Sequence, residues 1–115
     1  MNDLNRLDEF IAEVNSTNSS NEKIAIIRKY PDLKKMFRYV YDEQIQFGVT
    51  SKNVKKRAMT VTAVFPSGIT DIYDLLDALK NRDITGHEAL DNINGFILAN
   101  GHDEAIYRII DKDLK

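Results

Sequence analysis

Apolar residues return every three or four positions at both ends of this chain, and that period limits its fold more than any other feature of the sequence. Leu4, Leu7, Ile11 and Val14 fall on one stripe flanked by Phe10, which predicts a first amphipathic helix over about residues 3–15. The Asn, Ser and Thr run from Asn15 to Asn21 interrupts it. Ser19, with Glu22 three positions later, has the pattern of a capping box and predicts a second helix carrying Ile24, Ala25, Ile27 and Arg28, which Pro31 ends. Asp32 is then the expected cap of a third helix. Its apolar face is Leu33, Met36, Phe37, Val40 and Tyr41, with Lys34, Lys35 and Arg38 largely on the other side.

From Gln44 to Ile69 the helical period is lost. Gly48, Pro66 and Gly68 punctuate this stretch, and Met59 to Phe65 alternates, so it reads either as one long ordered loop or as a short strand. Loops of this length inside compact domains are commonly functional. Regular structure resumes at Thr70, the expected cap of a fourth helix built on Ile72, Leu75, Leu76 and Leu79. Thr85 is the expected cap of a fifth, with Ala89, Leu90, Ile93, Phe96 and Ile97 inward and a stop at Asn100-Gly101. Asp103 opens a sixth, which buries Ile106, Ile109 and Ile110. The expected fold is all-α: a single bundle of about six short helices with one long middle loop.

A length of 115 residues gives room for one domain, expected to bury roughly two thirds of the surface of the unfolded chain. No cysteine is present, which removes disulfides, thiolate zinc sites and a thiol nucleophile and makes a cytoplasmic setting the expectation. No apolar run is long enough for a membrane span, and the acidic, amphipathic start is unlike a secretory leader. The net charge of −2 speaks against a nucleic-acid partner until its distribution is followed. Residues 1–43 hold 8 acids and 7 bases, residues 44–70 hold 4 bases and no acid, and residues 71–115 hold 10 acids and 5 bases. The surplus of positive charge is confined to the middle.

Catalytic motifs are missing. There is no Walker loop, GxGxxG, HExxH or GxSxG pattern and no Lys-x-Asp-Gly nucleophile. His87 and His102 have no ligand-spaced partner, so solvent-facing or capping roles are expected for them and no metal site is. Asp71, Asp74, Asp77, Asp111 and Asp113 are spaced as solvated helix faces. Two features suit phosphate. One is Lys52, Lys55, Lys56 and Arg57, interleaved with the donors Ser51, Asn53 and Thr60, although so short a charge run also suits a merely solvated loop. The other is the helix start Thr85-Gly86-His87-Glu88, where free N–H groups and the helix dipole can meet an anion; an ordinary helix cap explains it equally well. Arg82 and Lys112 are possible additional contacts, or last-turn cations favoured by their own helix dipoles.

The order of segments adds a resemblance. Residues 20–30, SNEKIAIIRKY, then 33–42, LKKMFRYVYD, then Ile45-Gln46-Phe47-Gly48-Val49 resemble the opening of ATP-dependent DNA ligases of tailed bacteriophages. Residues 74–79, DLLDAL, 81–89, NRDITGHEA, and 109–114, IIDKDL, resemble in the same order that family's next helix, its Arg-x-x-Thr-Gly-Asn-x-Ala turn and its Arg/Lys-Asp-Leu close. His87 stands where the family often has Asn, and the junction at Pro31-Asp32 is shorter than usual. The likeness runs from about residue 4 to residue 115.

The resemblance implies that residues 1–115 are the helical N-terminal DNA-binding domain of such a ligase, with the nucleotidyltransferase and OB-fold domains absent from this sequence. It implies no catalysis and no cofactor here; ATP and Mg2+ belong to the following catalytic domain. The implied partners are double-stranded or nicked DNA, bound through its backbone and minor groove, and the catalytic domains of the same ligase, with the chain itself a monomer. The candidate DNA contacts are Arg82, Thr85, Gly86 and His87, at the turn that the resemblance carries over, and Lys52, Lys55, Lys56 and Arg57, which rest mainly on their charge because the basic loop varies within the family. A rival reading, a helical protein–protein adaptor, has the net negative charge and the acidic C-terminal helices behind it, and a small stand-alone enzyme has only the exposed carboxylates.

Overall fold

A computed structural model describes residues 2–17, 19–61 and 63–114. Seven α-helices and one 3-10 turn account for the regular structure among them: α1 (Asn2–Asn15), α2 (Ser20–Arg28), the 3-10 turn Pro31–Leu33, α3 (Lys34–Tyr41), α4 (Ser51–Thr60), α5 (Ile72–Lys80), α6 (Gly86–Asn100) and α7 (Asp103–Ile110). No strand occurs among the described residues, and the fold is all-α.

One core serves all the helices. Leu4, Leu7, Phe10 and Val14 of α1 bury against Ile26, Leu33, Met36 and Val40, and the same cluster continues through α5 (Ile72, Leu75, Leu76, Leu79), α6 (Ile93, Phe96) and α7 (Ala105, Ile106, Ile109, Ile110). Burying an aliphatic or aromatic side chain of this kind is worth about 1.5–3 kcal/mol, so the stripes supply most of the drive to fold. Polar ties then set how the elements meet. The Arg6 guanidinium bonds Asp32 at 2.8 Å and lies 4.3 Å from the centre of the Tyr30 ring. The Tyr30 hydroxyl donates to Glu13 at 2.5 Å, and this bond to a carboxylate, with burial, pushes the phenol up to about 12. The Tyr39 hydroxyl reaches from α3 to Asp77 of α5, and the Tyr73 hydroxyl from α5 to Asp3 of α1.

The middle of the chain departs from expectation. In place of one long loop, residues Ser51–Thr60 form α4, with Thr50 as N-cap accepting a hydrogen bond from the Asn53 amide. Apolar period could not reveal this helix, because Val54 is its single buried side chain. What nucleates it is a threonine cap ahead of good helix formers, and what holds it is α6. The expected alternation from Met59 to Phe65 is divided: Met59 and Thr60 end α4, residues 63–67 run without regular structure, and Thr62 lies outside the described residues.

Several caps also differ. The Ser19 hydroxyl does accept from the Glu22 amide, at 3.4 Å, but the Glu22 carboxylate turns to the Thr17 hydroxyl, so the box is half made. Asp32 does not cap α3; Leu33 occupies that position, and the Asp32 carboxylate is held by Arg6. Asp71, not Thr70, caps α5, accepting from the Tyr73 amide at 2.7 Å.

Two adjacent residues of α6 fasten the middle segment. Asn94 is buried and its side-chain amide donates to the Val54 carbonyl of α4 at 3.0 Å. At Gly95 the backbone of residues 65–67 passes so close that a Cβ would run into the Phe65 carbonyl oxygen and the Ser67 amide. In an open helix an alanine there would gain about 1 kcal/mol over glycine. Here Gly95→Ala is expected to destabilise by about 1–3 kcal/mol, because backbone cannot yield as a flexible side chain can; comparing melting temperatures by circular dichroism checks it, and an unchanged or raised melting temperature would contradict the close crossing.

Candidate nucleic-acid interface

The four middle-segment cations sit on α4 and are used differently. Lys52 and Lys56, one helical turn apart, are exposed and have no hydrogen bond or ion pair among the described residues. Lys55 lays its ammonium 4.6 Å from the centre of the Tyr107 ring, a cation–π contact with α7. Arg57 turns to α6, where Nε donates to Asp91 Oδ1 at 2.9 Å and Nη2 to Oδ2 at 3.2 Å, the two-pronged geometry that suits guanidinium and carboxylate. This bond raises the Arg57 guanidinium and holds the Asp91 carboxyl below the usual aspartate range, with a smaller contribution to Asp91 from the nearby His87.

The N-terminal end of α4 is also engaged. The Ser51 amide donates to Asp111 Oδ1 at 2.8 Å and the Ser51 hydroxyl to Asp111 Oδ2 at 2.5 Å. A carboxylate from just beyond α7 thus fills the place where a helix start would meet an anion. Asp74 and Asp111 are exposed and Asp71 and Asp77 half-buried, and beyond the solvated face that their spacing predicts Asp71, Asp77 and Asp111 are also bonding partners.

Around the second candidate feature, Arg82, Thr85 and Gly86 line one shallow cleft of about 280 Å³ with Phe47, Gly48 and Val49. Arg82 holds φ +61 and donates to the Leu79 carbonyl at 3.1 Å, with its guanidinium packed against the face of Gly48 where a side chain would stand. Thr85 is the N-cap of α6 by position, but its hydroxyl makes no capping bond, which leaves the first-turn amides without a side-chain acceptor. Gly86 holds φ +57, a conformation that favours glycine, and has open space where a Cβ would point. His87 is exposed, one turn before Asp91 on α6. Arg57 of the first feature reaches Asp91 from α4, and His87 of the second lies one turn before Asp91 on the same helix.

Sequence reasoning missed Asp91, Asp111, Tyr107 and Asn94, which organise α4 from 34 to 60 positions away along the chain and leave no local signal. Lys112 is not an outward contact, since its ammonium donates inward to the carbonyls of Asp42 and Ile45. His102 stands at the N-cap position of α7 with φ +60, and its Nδ1 is 2.6 Å from Asp8 Oδ2. Among the described residues no group of three or more His, Asp or Glu side chains is arranged to hold a metal ion, and no helix is long and apolar enough to cross a membrane.

Compared with protein-family models, with curated proteins and with solved structures, the chain has no match in any of the three.

The depressed Asp91 carboxyl gives a signed pH dependence. Its folded pKa lies below the unfolded one, so the stability it contributes is present above the ordinary aspartate range and is lost as pH falls through the folded value. Asp91→Asn is expected to lower the melting temperature near neutral pH and to flatten its decline between about pH 5 and pH 3. Melting curves of both proteins across that range decide it, and parallel declines would show that Arg57 and Asp91 are not coupled in solution.

Proposed function

We propose that this chain is a non-catalytic DNA-binding module of the kind that opens ATP-dependent DNA ligases, holding nicked duplex DNA through backbone and minor-groove contacts in DNA repair or replication. The observation that carries the reading is the outward pair Lys52 and Lys56 on an otherwise anchored α4, in the one segment of the sequence that has bases and no acids. The ordered resemblance of residues 20–49 and 74–114 supplies the nicked duplex as the particular target. Lys52 and Lys56 make the primary phosphate contacts, and Arg82 with the uncapped first turn at Thr85, Gly86 and His87 makes a second set. Lys55 and Arg57 chiefly fix the helix that presents the pair. The catalytic domains of the same ligase are the intramolecular partner, and no cofactor is assigned to this chain.

Binding of this type releases counterions and ignores base sequence. A labelled nicked duplex titrated at two salt concentrations should bind at low salt and weaken steeply at the higher one. Lys52→Ala with Lys56→Ala should flatten the dependence of log affinity on log salt by about 2, from a slope of roughly 0.9 per phosphate contact, and to the same extent for unrelated sequences. No detectable binding at low salt, or binding indifferent to salt, removes the proposal.

A helical protein–protein adaptor is the second reading, and one observation favours it: an apolar strip left uncovered on α2 and α3. Capture of a protein partner with no shift of DNA mobility would prefer it.

A further inference from the structure

The groove between α2 and α3 lies apart from the cations assigned to DNA. Ile24, Ile27 and Tyr41 are 50%, 44% and 54% exposed, although the helical period predicts Ile24 and Ile27 for an apolar face; Ile26 is the α2 isoleucine that is buried. With Phe10, Val14 and Lys23 these three line an indentation of about 200 Å³. Aromatic rings continue its floor, with Phe10 and Phe37 at 4.8 Å between centroids and Phe37 and Tyr41 at 6.4 Å. Single exposed apolar side chains are ordinary on protein surfaces, whereas three that converge on one groove mark a contact site.

The charge around the groove is mainly of one sign. Lys23 lines the groove and Arg28 follows Ile27 on α2, while the exposed Lys34 and Arg38 stand three positions before Phe37 and Tyr41 respectively, at the edge of the apolar face of α3. None of these four cations has an ion-pair partner among the described residues. Three nearby acids are engaged elsewhere, Glu13 with Tyr30 and Lys29, Glu22 with Thr17, and Asp32 with Arg6, while Glu43 is exposed two positions after Tyr41. Burial, with the charge of Asp113, raises the Tyr41 phenol at one end. A DNA backbone would satisfy the four cations but has nothing with which to cover two isoleucines.

We propose that this groove docks a short amphipathic helix of a partner protein, with apolar anchors entering between Ile24, Ile27 and Tyr41 and acidic residues beside them meeting Lys23, Arg28, Lys34 and Arg38. Helix-in-groove recognition reads anchors at i, i+3 or i+4, and i+7, and a rim of opposite charge sets orientation and speeds encounter. The site is independent of the DNA contacts on α4.

The test titrates the isotope-labelled chain with two synthetic helix-forming peptides that share Leu and Phe at i, i+3 and i+7 and differ in carrying either Glu or Lys between them. Saturable amide shifts centred on Ile24, Ile27 and Tyr41 are expected, with binding about tenfold weaker for the Lys peptide and for the Ile27→Asp variant. Absent shifts, shifts centred elsewhere, or equal affinity for the two peptides would overturn the proposal. So would concentration-dependent shifts of the same residues without peptide, which would assign the groove to a second copy of the chain. Ile24→Asp repeats the measurement should Ile27→Asp unfold, and equal peptide binding by a folded Asp variant also overturns it. Ile27→Asp should leave nicked-duplex binding unchanged, so the groove and the DNA interface stand or fall separately.

Discussion

The pairing of α4 with α6 is the contact on which the rest of the middle of the molecule depends. Asn94 carries a polar amide into the core, where leaving it unbonded would cost about 1–3 kcal/mol, and the Val54 carbonyl satisfies it. Gly95, the next residue, has no side chain and so admits the backbone of residues 65–67 across the helix. One turn earlier, Asp91 takes the Arg57 guanidinium, and Asn92 meets the Ser67 hydroxyl at 2.9 Å. Four residues within one five-residue stretch of α6, Asp91, Asn92, Asn94 and Gly95, thereby fix a helix and a crossing segment that bury little apolar surface of their own.

Helices with a strong apolar stripe were legible in the sequence, because burying such a stripe is both the signal and the cause of the helix. α1, α5, α6 and α7 fall within a residue or two of their expected limits, and most of their inward residues are those the period names, although Phe10 is buried more fully than Ile11, and Asn94, Gly95 and Ala105 are buried outside the expected stripes. α4 was not legible because its stability comes from polar contacts with residues far along the chain. The same reason hid the fates of Asp32, Asp111 and Lys112, each of which looks locally like a cap or a solvated charge and instead joins distant elements. α2 shows the converse: its period is present, but the helix is turned so that Ile26 is covered and Ile24 and Ile27 are not. Which side of a short helix is covered depends on neighbours that the helix does not encode.

Of the candidate site, the residue types and their grouping could be read in advance, but not how many of the charges are available. Four bases in sequence become two outward lysines, one arginine neutralised by a carboxylate and one lysine resting on an aromatic ring. The protein supplies its own anions at the places where an external phosphate would otherwise be drawn, Asp91 for Arg57 and Asp111 for the start of α4. Counting charges along a segment therefore overstates the field it projects, whereas Thr85 and Gly86 do not look basic at all and yet leave amides with no side-chain acceptor.

α4 has only ten residues, fewer than the roughly 12–15 at which an isolated helix becomes even marginal in water. The fixed spacing of Lys52 and Lys56 therefore exists only while Asn94 and Asp91 hold the helix in place. In an unfolded or partly opened chain the same lysines are a diffuse cloud of charge with no set separation. The basic face is thus a product of tertiary structure, and loss of the α6 contact would erase its geometry without removing a single charge.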